Sequence, residues 1–252
     1  MDHTKDIPVF SESSPETEQL LRSVLDPIPF DILLSVGPAC RPAQQIKAAG
    51  LRFTAAPMDW MQLYSLNTFL HLFQTDFSDF FIDIAESAAP HGKNRRVVDC
   101  RNDITSIHHF PTNQSLTEGQ SAMRKTMLRR SKKIQKILKK SQNIGLLCNR
   151  PDTPEELETF RAAFQKLYPQ ARCVLINIRD TDTETAAAAE YGAGDLLEIR
   201  FRDVHPAGGE ITENPDAWHG NTPLWQAVLS HVHLREQPRP GDRFFSLFKR
   251  RK

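Results

Sequence analysis

Cys40 is the residue whose type and setting best suit covalent chemistry in this sequence. It follows an apolar run that ends at Gly37-Pro38, and it precedes a segment with helical spacing that starts at Arg41. Unpaired N–H groups at a helix N-terminus stabilise an anion, so they can acidify a thiol there and make it a nucleophile. The same groups would bind the oxyanion that forms when a thiolate attacks a carbonyl. A small, inert cysteine buried beneath a sheet is the other interpretation of this position.

A thiol nucleophile needs a base, and His108-His109 is the only adjacent pair of histidines in the sequence. Neighbouring side chains of a strand point to opposite faces, so either His109 or His108, but not both, would act as the base. Asp59 and Asp103 are candidates to orient the imidazole. If the cysteine is inert, both histidines are ordinary surface or loop residues.

Other kinds of site find less support in the sequence. A zinc site would have to draw on His91, Cys100, His108 and His109. Their spacing contains no close pair such as Cys-x-x-Cys, so we predict no metal. The sequence also lacks a P-loop, a G-x-G-x-x-G fingerprint and a G-x-S-x-G nucleophile elbow, and we predict no cofactor. The segment Trp218–Trp225 either lines a sugar- or acyl-binding pocket or packs two tryptophans against the core.

The elements that must position these residues alternate between strands and helices. This order predicts one α/β domain, with a mostly parallel β-sheet flanked by helices on both faces. The predicted strands are 30–36, 97–98, 144–148, 173–178 and 196–201. The predicted helices are 15–25, 41–49, 57–73, 77–84, 115–142, 153–168, 185–191 and 223–232.

The helix predicted from Ser115 carries an apolar stripe and a face rich in arginine and lysine, including Arg124 and Arg130. That face is either solvated or binds an anionic ligand or an acidic surface. Aromatic residues are not interleaved with the basic ones, which argues against a specific nucleic-acid partner.

The bulk composition is that of a globular protein: 252 residues with a net charge of +1. We expect residues 1–26 to form an acidic, largely disordered segment with a short helix, and residues 27–235 to form the α/β domain. Residues 236–252 would be a basic, aromatic tail capable of at most weak peripheral membrane contact. Four dispersed cysteines and the absence of a signal or membrane-spanning run favour reduced thiols in the cytoplasm.

The segments SVGPAC (35–40), PMDWM (57–61) and HHF (108–110) resemble a bacterial family of unknown function described as putative papain-like cysteine peptidases. The resemblance extends over about residues 30–232. It implies that Cys40 is the nucleophile and that His108 or His109 is the base, and it aligns Asp59 with the family's aspartate before tryptophan. This chain departs from the pattern in having Met58 in place of phenylalanine, and two histidines in place of one followed by an acid.

The sequence therefore predicts a cysteine-dependent hydrolase or acyltransferase acting on a peptide, amide or ester whose identity it does not reveal. One alternative is a transferase for phosphorylated sugars or surface-glycan precursors, in which Cys40 only lines the pocket. Another is a non-enzymatic binding protein that docks through the basic helix.

Overall fold

A computed structural model describes residues 14–87, 90–192 and 194–235. Within these ranges the chain forms six α-helices: α1 (Pro15–Val24), α2 (Arg41–Ala48), α3 (Leu66–Gln74), α4 (Leu116–Leu138), α5 (Pro154–Leu167) and α6 (Thr222–Leu229). The strands are β1 (Pro29–Phe30), β2 (Ile32–Ser35), β3 (Met61–Gln62), β4 (Ile84–Glu86), β5 (Val97–Asp99), β6 (Ile104–Ser106), β7 (Asn143–Cys148), β8 (Arg172–Asp180), β9 (Ala187–Tyr191), β10 (Leu196–Phe201) and β11 (His233–Leu234). A short 3-10 helix covers Ala217–His219.

The main sheet has the strand order β2-β7-β8-β10-β9. Its first four strands are parallel, and β9 pairs antiparallel with β10 at one edge. The predicted mostly parallel sheet is therefore confirmed. Strand β2 lies at the other edge, so the chain that leaves its carboxyl end is beside the sheet rather than over its centre.

The main sheet buries both of its faces. Successive residues of β8, such as Leu175 and Ile176, belong to two different apolar clusters, because successive side chains of a strand point to opposite faces. One cluster includes side chains of α3, α4 and α5. The other includes side chains of α1, α2 and α6. The helices thus cover both faces, as the sequence predicts.

A second, antiparallel sheet has the strand order β3-β6-β5-β4. Its buried residues Met61, Val97 and Ile104 belong to the same apolar cluster as Ile32 and Leu34 of β2. The two sheets therefore share one core and pack as one domain. The sequence analysis predicts only part of this sheet, because its strands are two or three residues long.

Helices α4 and α5 begin where the sequence predicts them, because local side chains cap their N-termini. Ser115 and Thr153 each form a capping box, with Glu118 and Glu156 respectively, at the N-termini of α4 and α5. Helix α2 stops before Gly50, whose φ of +72° suits glycine at this position.

The prediction of a helix over 185–191 is wrong, because these residues form the edge strand β9. The alanines favour a helix when considered alone, but here they pair with β10 over five residues. Thr17 of α1 also ties this segment to the domain: its hydroxyl donates to Ala186 O and accepts from Ala188 N–H. Tertiary pairing thus overrides local propensity.

Two further helix predictions need correction. Residues 57–60 form a turn that leads into β3, and α3 starts only after Ser65, whose hydroxyl accepts from the Thr68 N–H. In the predicted helix over 77–84, Phe77 and Phe81 both have positive φ, which a helix does not accept, and the segment leads into β4. The buried phenylalanines of this segment fill the core without helical spacing.

The predicted disordered start and the basic tail lie mainly in residues 1–13 and 236–252, outside the described residues. Helix α1 buries Leu21 and packs against β9. None of the helices in the described part of the chain is long and apolar enough to cross a membrane.

Candidate active site

Cys40 lies at the turn that joins β2 to α2 and is the N-cap residue of α2, as the sequence predicts. Gly37 has a φ of +54°, and a β-carbon there would clash with the Tyr64 hydroxyl, so only glycine fits this turn. Cys40 is only 5% exposed and its thiol makes no capping hydrogen bond. The thiol is therefore not engaged as a cap of α2.

The imidazole of His108 faces this thiol. The distance from Cys40 Sγ to His108 Nε2 is 3.8 Å, within hydrogen-bonding range for sulfur. His108 follows β6 by two residues, so the antiparallel sheet supplies the imidazole while the parallel sheet supplies the thiol. The ring edges of Trp60 and His91 contact His108, with centroid distances of 5.9 and 5.8 Å.

His109 does not line the cavity over the thiol, and the bend after β6 turns it to a different partner. Its Nδ1 lies 2.9 Å from the Ser106 hydroxyl. Burial lowers the pKa of His109 to about 4, and the positive charge of Arg130 contributes in the same direction. A neutral, buried imidazole fits a structural role. Of the two histidines, the structure places His108 beside Cys40.

Neither candidate aspartate hydrogen-bonds to a histidine in the described residues. Asp59 accepts from Arg52 Nη2 at 2.8 Å and from the Ala56 N–H at 2.9 Å. These bonds hold the loop of residues 52–59 together. Burial raises the pKa of Asp59 despite these bonds. Asp103 is exposed and has a φ of +51°, at the turn between β5 and β6. The ring contacts of His108 are instead the T-shaped ones with Trp60 and His91.

The expectation of an acidified thiol is wrong. Burial raises the pKa of Cys40 to about 11, and the charge of Asp59 adds to the effect. The only opposing contribution is a weak hydrogen bond from Gln62 Nε2, 4.0 Å from Sγ. Burial also lowers the pKa of His108. At neutral pH these shifts favour an uncharged thiol beside an uncharged imidazole, because desolvation is the largest contribution to both.

Arg41 contributes little positive charge to the thiol, because a buried carboxylate neutralises it. Its Nη1 lies 2.6 Å from Asp203 Oδ2, and its Nε donates to Trp218 O. Asp203 also accepts from Trp225 Nε1. A β-carbon on Gly220 would clash with this carboxylate. The first turn of α2 is therefore tied to the segment around the two tryptophans.

A cavity of about 410 Å³ opens over Cys40 and His108. Besides these two, its walls include Trp60, Gln62, Ile107, Asn149, Ile211 and Trp218. Trp218 thus lines the cavity, as expected if the segment contributes to a pocket. Trp225 is fully buried, as expected if the segment packs against the core. Gln62 is a wall residue that no sequence motif marks, although it follows the Asp59-Trp60 pair by two residues.

A buried guanidinium joins the two parts of this site. Arg150 donates to Val36 O, at the end of β2, and to Tyr64 O, just after β3. Asp152 pairs with the same guanidinium at 2.7 Å. This side chain fixes the turn that carries Cys40 against the segment that carries Gln62.

The basic helix α4 buries its predicted stripe, including Met123, Met127, Ile134 and Leu138. Arg124 is engaged in the fold, since it donates to the carbonyls of Phe80 and Ser78. An anionic ligand on the exposed lysines of α4 stays a prediction. In the part of the chain that the structure describes, no group of three or more His, Cys, Asp or Glu side chains could hold a metal ion.

Residues 31–147 match the family described as "putative papain-like cysteine peptidase", a family of unknown function. This confirms the family resemblance over just under half of the chain, in a segment that contains Cys40, Asp59 and both histidines. The description supports a cysteine hydrolase-like protein at a coarse level. No curated protein and no solved structure matches the chain.

The low pKa of His109 predicts how stability depends on pH. The folded pKa is about 4 and the ordinary value is 6.5, so between these pH values the unfolded chain binds more protons and stability falls as the pH falls. The loss contributed by this group reaches about 3 kcal/mol at pH 4. Urea unfolding of wild type and His109→Gln at pH 7.0, 5.5 and 4.5 should show a shallower decline in the variant. Parallel declines in the two proteins would refute this account of His109.

Proposed function

We propose that this chain is a cysteine-dependent hydrolase or acyltransferase in which Cys40 is the nucleophile and His108 the base. The contact of 3.8 Å between Cys40 Sγ and His108 Nε2 carries the proposal. It pairs a nucleophile with a proton acceptor inside a cavity that a substrate can enter. The family description is consistent with this assignment.

The pKa values determine how the reaction would start. With a thiol pKa of about 11 and a His108 pKa below its ordinary value, a standing thiolate–imidazolium pair is disfavoured. The proton therefore passes from Sγ to His108 Nε2 as the sulfur–carbon bond forms. This is general-base catalysis of the kind found in serine hydrolases, carried out with a thiol.

The remaining steps balance protons and bonds with the same two residues. The tetrahedral intermediate collapses as the bond from carbonyl carbon to leaving group breaks, and His108 returns its proton to the leaving group. An acyl thioester remains on Cys40. Water, or the acceptor of an acyltransferase, then attacks the thioester while His108 takes its proton. The sulfur leaves and recovers that proton from the imidazolium.

Gln62 is the side chain best placed to stabilise the oxyanion. Its amide nitrogen lies 4.0 Å from Sγ and faces the same cavity, so it can reach an oxygen on a carbon bonded to that sulfur. Strand β3 fixes it, since Gln62 pairs with Thr105 of β6. Backbone N–H groups at the start of α2 would supply the second donor.

The first test follows acylation of Cys40 by 4-nitrophenyl acetate at pH 7.5, in a Cys100→Ser background because Cys100 is exposed. We expect a burst of nitrophenolate and an added acetyl mass on the peptide containing Cys40. His108→Ala should slow the burst by about 100-fold or more, and His109→Gln should change it by less than a few-fold.

Cys40→Ser tests the same assignment against the transferase and binding-protein alternatives, in which Cys40 has no covalent role. We expect the thioester adduct to disappear in this variant. An adduct on another cysteine, or equal rates in His108→Ala and His109→Gln, would contradict the proposal.

The role of Gln62 is tested by comparing two reactions of the same thiol. Gln62→Ala should slow acylation by 4-nitrophenyl acetate about 100-fold, because that reaction passes through an oxyanion. Alkylation of Cys40 by iodoacetamide forms no oxyanion and should change far less. If both reactions slow by the same factor, Gln62 acts on the thiol alone and the assignment fails.

A further inference from the structure

We propose that the cavity over Cys40 selects an uncharged, apolar acyl group, aliphatic or aromatic. The inference rests on the proposed function and adds the class of substrate. Three observations support it: the chemistry of the cavity wall, the pairing of Arg41 in that wall and the exposure of Ile211.

The wall around the reacting pair is largely apolar. Its apolar lining residues are Ala39, Trp60, Ile107, Ile211 and Trp218. Among the described residues that line the cavity there is no aspartate, glutamate or lysine. The cavity of about 410 Å³ is in the usual size range of small-molecule sites. An acyl chain could therefore be enclosed without facing a charged wall.

The cationic groups of the wall offer little to an anionic substrate. Arg41 is paired with Asp203 at 2.6 Å and also donates to Trp218 O. The pKa of His108 is lowered by burial and by the proximity of His91, so the ring is neutral at pH 7. A carboxylate would lose hydration against a largely apolar wall, and an ammonium group would find no acid among the described lining residues.

One apolar side chain in the wall of the cavity is largely exposed. Ile211 lines the cavity and is 61% exposed. An apolar group bound in the cavity would cover part of this side chain, and burial of apolar surface is favourable.

Trp218 is the aromatic wall residue tied to the first turn of α2. Its carbonyl accepts from Arg41 Nε, and its ring lies 4.1 Å from the His219 ring, measured between centroids. The indole lines the cavity, as does the side chain of Ile211. We therefore assign Trp218 and Ile211 as the residues that determine acyl specificity.

The test measures binding without chemistry, so that its failure is distinct from failure of the proposed function. Cys40→Ala protein is titrated with hexanamide, 6-aminohexanamide and adipic acid monoamide, and tryptophan fluorescence is followed. These ligands share a six-carbon chain and differ at its end. We expect hexanamide to bind at least about 10-fold more tightly than either charged ligand, which would have to bury its charge without a partner.

Two variants and a control locate the effect. Trp218→Ala and Ile211→Ala should each reduce the preference for hexanamide over the charged ligands toward unity. Ile82→Ala removes an aliphatic side chain that is 46% exposed but does not line the cavity, and should leave the preference unchanged. Equal binding of the three ligands, tighter binding of a charged one, or no binding of hexanamide would overturn the proposal.

The same preference should appear in the reaction. 4-Nitrophenyl hexanoate should acylate Cys40 about 10-fold faster than 4-nitrophenyl acetate, because its additional methylenes are buried. Binding of hexanamide without any acylation would refute the proposed function and leave the apolar specificity standing. Acylation with no preference for the longer chain would refute the apolar specificity and leave the proposed function standing.

Discussion

The contact between the two sheets is the constraint on which the candidate site depends. The thiol belongs to the turn after an edge strand of the parallel sheet, and the imidazole belongs to the antiparallel sheet. A shared apolar cluster holds the sheets together, and Arg150 bridges the carbonyls of Val36 and Tyr64 at their junction. Because these groups are buried, a small displacement of either sheet would cost packing and hydrogen bonds before it separated Cys40 from His108.

Burial also determines the chemical character of the pair. It keeps water from Cys40 and raises its pKa to about 11, while it lowers the pKa of His108. Both pKa shifts favour the uncharged forms of the two side chains. Negative charge on the reacting groups would therefore develop only during attack, when Gln62 could donate a hydrogen bond to it. The apolar wall that would favour an uncharged acyl group is part of the same low-dielectric setting. In this account, protonation state and specificity have one physical origin.

The sequence predicts those features that depend on neighbouring residues. The continuous apolar runs of β7, β8 and β10, the capping boxes of α4 and α5, and the strand-to-helix turn at Cys40 are all confirmed. Features that depend on distant residues are not predictable in this way. Asp203 pairs with Arg41 across 162 positions, and the alanines of β9 become a strand only because β10 offers an edge.

The candidate site shows the same difference between local and distant features. The position of Cys40 at a helix start is local and was predicted correctly. Its pKa depends on burial by the whole fold, which spacing does not reveal, and the expected acidification is wrong. The choice between His108 and His109 depends on the path of the bend after β6, which only the folded chain shows. The sequence pattern does not indicate the position of Gln62, because β3 contains only two residues.

The pH dependence of Cys40 acylation, compared between wild type and His108→Ala, tests the account most directly. In wild type the rate should rise through a pKa below 6.5 as His108 loses its proton, then remain level through pH 9. In His108→Ala this inflection should disappear, and the rate should climb with pH toward the thiol pKa of about 11. A wild-type rate that falls between pH 7 and 9 would indicate a thiolate–imidazolium pair. That result, or an inflection that survives in His108→Ala, would contradict the account.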